Sequence, residues 1–283
     1  MTTDAPVDDA PVEPTTPTPP PRTSWVASLV AITGVIVIAV LVLQAVGFAL
    51  SAAGGTRNAI YAADVDGVTA LDVDLTSGDL TITFDAVPEA TLEVTSTGWR
   101  NRVDWTLEVD GGRLVVHEDD DLWFWPDFGR SHTSAELVLP AALEGAISGD
   151  LDVSAGTMEV DGDLAEVTID VSAGSLTFVG ASTSIDAKVS AGEATVITSD
   201  PDTVAVRVSA GRFHGTVTGE PPARTDVNVS AGDATLRLPD AAYAVTGEVS
   251  AGDRTIDVRT DPGSEYQLHV QVSAGDATVG YSA

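Results

Sequence analysis

The chain has 283 residues, 43 acidic against 13 basic side chains, a formal charge of −30 and no cysteine. A surface this acidic repels phosphate backbones and anionic lipid, which argues against nucleic-acid binding. Without cysteine no disulfide can staple the fold.

Residues 1–22, ending in the run Pro-Thr-Thr-Pro-Thr-Pro-Pro-Pro before Arg22, are Pro-, Thr- and Asp-rich and lack the apolar content to pack. Such a segment reads as a disordered spacer. No charged residue occurs between Thr23 and Thr56, and Trp25–Leu50 is almost wholly apolar. Over residues 23–50 this predicts one transmembrane helix, because a helix rising about 1.5 Å per residue needs roughly 20 residues to cross a bilayer core. A cleaved leader is the alternative, with small residues around Ala49-Leu50-Ser51. Arg22 abuts the apolar run more closely than Arg57 does, so the expected placement is single-pass in the cell membrane. The N-terminus is then cytoplasmic and the C-terminal domain extracytoplasmic. Residues 51–60 read as a linker.

Residues 61–145 begin with strand-like alternation at Leu71, Val73 and Leu75, then change in texture. Four of the five tryptophans, Trp99, Trp105, Trp123 and Trp125, lie between 99 and 132 together with Phe124 and Arg130. Large aromatics and arginine mark binding surfaces, so Trp99, Trp105, Trp123, Phe124, Trp125 and Arg130 are candidate ligand contacts. The competing reading is a lid over an open end of the fold.

Residues 146–283 repeat Val-Ser-Ala-Gly seven times, with serines at 154, 172, 190, 209, 230, 250 and 273, so that copies are 18, 18, 19, 21, 20 and 23 residues apart. A worn eighth copy centres on Ser77-Gly78. In Thr225–Pro239 the apolar phase runs through Val227, Val229 and Ala231, slips by one, and resumes at Ala234, Leu236 and Leu238. A straight strand cannot change phase in this way, so each glycine marks a corner, and positive φ is the expected reason for glycine there. The corner glycines are Gly78, Gly156, Gly174, Gly192, Gly211, Gly232, Gly252 and Gly275.

Two architectures satisfy the pattern: stacked parallel coils, or a string of antiparallel hairpins. Proline-bearing turns between copies, such as Asp200-Pro201 and Pro221-Pro222, favour coils. The expected fold is therefore an all-β, right-handed parallel β-solenoid with coils of 18–23 residues. The chain stops directly after Ala277–Tyr281, which predicts an unpaired last edge and end-to-end self-association.

Reiterated Val-Ser-Ala-Gly-[Asp/Glu]-Ala-Thr units behind one apolar segment resemble the bacterial "putative adhesin" or β-strand-repeat family, a domain of unknown function. The resemblance implies a membrane-anchored, extracytoplasmic β-helical domain, with relatives associated with cell-envelope stress and antimicrobial-peptide responses. It carries no catalytic motif.

The residue after the corner is acidic at Asp79, Glu193, Asp233, Asp253 and Asp276. Arg212 interrupts that column, so solvated turns explain it better than calcium. Two positions on, Thr81, Thr177, Thr195, Thr235, Thr255 and Thr278 read as outward strand residues. No nucleophile motif, phosphate loop or ligand-spaced histidine pair is present, and Asp119–Asp121 are the nearest thing to a carboxylate cluster for glycan chemistry. The sequence thus points to a non-enzymatic binding module without cofactor or metal, whose partner is an envelope component, a protein or a cationic peptide. The second class is a structural stalk.

Overall fold

Alternation that slips at a glycine and then resumes sends the two halves of each copy into different sheets. A computed structural model of the protein, which describes residues 56–97, 104–119 and 132–282, shows this division. The N-terminal strands are β1 (Thr56–Ala63), β2 (Ala70–Leu75), β3 (Asp79–Asp85), β4 (Ala90–Thr97), β5 (Asp104–Asp110), β6 (Arg113–Asp119) and β7 (His132–Pro140). Regular pairs follow: β8 (Ser148–Val153) and β9 (Thr157–Asp161), β10 (Glu166–Val171) and β11 (Ser175–Val179), β12 (Ser184–Val189) and β13 (Glu193–Ser199). Next come β14 (Thr203–Val208) and β15 (Arg212–Thr218), then β16 (Arg224–Val229) and β17 (Asp233–Leu238). The last strands are β18 (Ala242–Thr246), β19 (Asp253–Ile256), β20 (Arg259–Thr260), β21 (Gln267–Val272) and β22 (Asp276–Tyr281).

These strands form two eleven-stranded sheets. One has the order β1-β4-β7-β3-β9-β11-β13-β15-β17-β22-β19, the other β20-β18-β21-β16-β14-β12-β10-β8-β2-β6-β5. Each corner joins a strand of the second sheet to a strand of the first, and such a pair is one tier. Neighbouring tiers from β8 to β17 pair in parallel with like beside like: Val171 lies between Val153 and Val189, and Leu176 between Met158 and Ala194. All six are buried. Fully burying a side chain of this size contributes about 1.5–3 kcal/mol, and here that burial depends on the neighbouring tiers.

The corners are bonded tier to tier through the backbone. Ser172 N–H donates to Val153 O (2.9 Å), Ala173 N–H to Ser154 O (2.9 Å) and Ser175 N–H to Gly156 O (2.9 Å), and the later copies repeat the scheme. The glycine is required by this closeness. A Cβ on Gly156, Gly174, Gly192, Gly211 or Gly232 would lie 2.2–2.3 Å from the glycine carbonyl oxygen of the tier before. Positive φ, the expected reason, occurs only at Gly78, Gly252 and Gly275 among the corner glycines.

Chain order and stacking order differ at both ends. β6 and β7 lie on the outer side of β2 and β3, so these two strands form a tier beyond that of β2 and β3. β5 pairs antiparallel with β6, β4 with β7, and β1 with β4. β1 also approaches β5, drawing the two sheets together at this end. At the other end β21 and β22 pair directly with β16 and β17, while β18 and β19 stack outside them. Tyr281 holds this outer piece: its hydroxyl accepts from Arg259 N–H (2.6 Å) and donates to Ala241 O (3.1 Å). Tyr243, fully buried, donates to Pro239 O (2.9 Å).

Glu118 closes the corner ladder at its head. In the next tier Ala155 N–H donates to Thr76 O (3.1 Å). The corresponding N–H of Ser77 instead donates to Glu118 Oε2 (2.6 Å), Ser77 Oγ donates to Oε1 (3.2 Å), and Thr76 Oγ1 donates to Glu118 O (3.2 Å). Glu118 is buried.

Three expectations are corrected. The fold is not the uniform right-handed parallel β-solenoid: its two sheets are mixed, because β1, β4 and β5 enter by hairpin-like antiparallel pairing. The transmembrane helix is corrected together with the single-pass membrane placement, since among the described residues no helix is long and apolar enough to cross a membrane. The apolar stretch 23–50, like the tail 1–22, lies outside the described residues. The last strand in sequence is not the last in the sheet, for β22 sits between β17 and β19.

Two substitutions test the ladder. Gly192→Ala would place its Cβ 2.2 Å from Gly174 O and 2.6 Å from a Val171 methyl. Urea titration should show a loss of about 1–3 kcal/mol, the range of overpacked sites, whereas Ala191→Ser at the exposed neighbour stays within about 0.5 kcal/mol. Glu118→Ala should cost about 1–3 kcal/mol through the half-buried donors it abandons, and hydrogen exchange should accelerate at the Ser77 amide but not at Ala191.

Candidate interaction groove

The stacked corners form a groove of about 560 Å³ along the edge where the two sheets meet, spanning five tiers from Gly156 to Asp233. Its floor is the Ala-Gly of successive corners, where Ala173, Ala191, Ala210 and Ala231 are exposed. One wall is the column after the glycine, Thr157, Ser175, Glu193, Arg212 and Asp233, held in register by the parallel pairing of β9, β11, β13, β15 and β17. Charge is concentrated in the last three of these. Arg212 Nη1 lies 3.8 Å from Glu193 Oε2, and Asp233 is its register neighbour on the other side. The interrupting arginine that broke the acidic column in sequence thus stands between two carboxylates.

The tryptophan candidates separate. Trp105 lies on β5 with 3 % of its surface exposed, among the core residues, and among the described residues its Nε1 has no hydrogen-bond partner. It fills the end of the core. Trp99, Trp123, Phe124, Trp125 and Arg130 lie outside the described residues. What is described is where residues 120–131 attach: β6 and β7 are the two strands of one tier, so this stretch joins them where the regular tiers have Ser-Ala-Gly. The groove-lining alanines were missed because they were read as the end of the inward phase. The signal available was that Ala231 follows Val229 yet directly precedes the phase slip.

The outer face of the second sheet carries carboxylates in register. Asp72 pairs with Asp150, and Asp74, Asp152 and Asp170 follow one another across β2, β8 and β10. Basic side chains border this patch: Arg113 lies 3.0 Å from Asp72, His117 is 3.3 Å from Asp74 and Lys188 is 2.5 Å from Asp170. Asp152 sits at the centre. Burial, and then the charges of Asp150, Asp170, Asp74 and Asp72, push its carboxyl above the ordinary carboxylate value. Among the described residues no group of three or more His, Asp or Glu is arranged to hold a metal ion.

A raised carboxyl binds its proton more tightly in the folded than in the unfolded chain, so ionising Asp152 opposes folding and stability falls as pH rises through this range. Asp152→Asn should therefore raise the melting temperature at pH 7. The gain should vanish in melts recorded below the ordinary value of 3.8, where both states are protonated.

No family model matches the chain, and no curated protein matches it. Solved structures similar to it include a "putative cell adhesion protein" from Clostridium sporogenes, at 12 % identity and TM-score 0.38, covering 80 % of this chain and 100 % of that one. Another is a "putative adhesin" from Parabacteroides distasonis, at 11 % identity and TM-score 0.42, covering 80 % of this chain and 98 % of its own.

Proposed function

We propose that the protein is an adhesin-like, non-enzymatic binding module that holds an elongated partner along the corner groove. The observation that carries this reading is the construction of the groove: five successive tiers present the same backbone floor and one polar side chain each. A surface built by repetition suits a partner that extends along the stack, in contrast to the single enclosed pocket typical of small-molecule sites. The charged trio Glu193, Arg212 and Asp233 supplies the polar contacts that would fix its position.

The Trp-bearing stretch 120–131 supports a second arm of the same reading. Its flanking strands β6 and β7 form the tier next to that of Gly78, and a Cβ on Gly78 would lie 2.7 Å from Thr133 O. The strands that flank it therefore lie at the head of the corner column.

Binding of the full-length chain to arrays of glycans, cationic peptides and candidate partner proteins tests both arms. Ala191→Trp, which fills the groove from an exposed position, should weaken capture at least about tenfold, near 1.4 kcal/mol, with the β-sheet circular dichroism unchanged. Trp123→Ala with Trp125→Ala should do the same if the second arm holds. Capture that survives all three substitutions would refute the reading.

A further inference from the structure

Each corner leaves one peptide group out of the ladder. The serine, the alanine and the residue after glycine all donate to the tier before. Among the described residues, neither the alanine carbonyl nor the glycine N–H of the groove-lining corners is bonded to another backbone group. Backbone groups of this kind take water or a ligand. They recur once per tier, at the interstrand spacing of about 4.8 Å.

We infer that the groove takes an uncharged, β-linked polysaccharide running along the stack, one sugar to a tier. The inference rests on the groove reading above and adds the chemical class of the occupant. The spacing selects against peptides: an extended chain advances about 3.3 Å per residue and a polyproline helix about 3.1 Å, so successive residues would drift out of step with the tiers. An extended β-1,4-linked hexopyranose chain advances by only slightly more than the tier spacing, so over five tiers each sugar stays beside a successive peptide group. Charge selects further, because a chain at −30 repels acidic polymers. The wall offers hydroxyls at Thr157 and Ser175, carboxylates at Glu193 and Asp233 and a guanidinium at Arg212, which together accept from and donate to sugar hydroxyls. The small side chains of the floor leave the unbonded peptide groups within reach of a ring hydroxyl.

Calorimetric titration of the full-length chain with neutral β-linked gluco-oligosaccharides of two to eight sugars tests this. Affinity should climb by about tenfold or more up to five sugars and level off beyond, matching the five tiers of the groove. Ala191→Trp should abolish the binding. Arg212→Ala, which changes an exposed side chain of the wall, should weaken it while the dichroism spectrum stays that of the parent. No binding across the series, or affinity indifferent to length, overturns the inference. If Ala191→Trp instead blocks capture of cationic peptides only, the glycan assignment falls and the groove stands. If oligosaccharide binding ignores Ala191→Trp, the groove reading falls as well.

Discussion

The molecule depends on how closely one corner can lie upon the next. At Gly156, Gly174, Gly192, Gly211 and Gly232 there is no space for a Cβ beside the carbonyl oxygen of the tier before. That contact allows the N–H after each glycine to reach the glycine oxygen of its neighbour, which holds the tiers in register. Register in turn places valine on valine inside and Thr177 on Thr195 outside. The groove is the outward consequence of the same contact: corners stripped to Ala-Gly cannot fill the edge where the sheets meet.

A stack of this kind has two ends, and the chain closes both by leaving the sequential order. It departs after β3, builds β4 to β7 on the outer side, and returns to β8; it departs after β17, builds β18 to β20, and returns to β21. The completed core therefore ends under the antiparallel strands β1 and β5 on one side and under β19 and β20 on the other, and the four and two residues of β19 and β20 leave little edge to pair. Glu118, Trp105 and Tyr281 serve these ends in different ways. Glu118 supplies the acceptor that a preceding corner would have provided, Trp105 fills the core beneath β5, and Tyr281 ties the C-terminal strand to the piece outside it.

Electrostatics follow from stacking as well. Residues that are distant in sequence become neighbours at the interstrand distance, so a modest bias toward aspartate becomes a patch around Asp152. The same register brings Lys188 to Asp170 and Arg207 to Asp186. Lys188 and Arg207 thus lie where they limit the repulsion that stacking creates.

Sequence alone was enough to place a strand on either side of Gly174, Gly192, Gly211 and Gly232, and to mark inward residues such as Val227, Val229, Ala234, Leu236 and Leu238, all of them buried. These are local properties, since strand alternation and a glycine at a phase slip are written within a dozen residues. It misplaced Ala231, which turns outward, and it misjudged why glycine is needed there, because that reason is an atom in another copy. It left Trp105 between a ligand contact and a lid over the end of the fold, and the side chain is buried in the core. Stacking order, antiparallel closure and the groove were settled by the tertiary structure, because each depends on which distant strands pair. Near-identical copies carry almost the same edge chemistry, so their sequences cannot say which copy lies next to which.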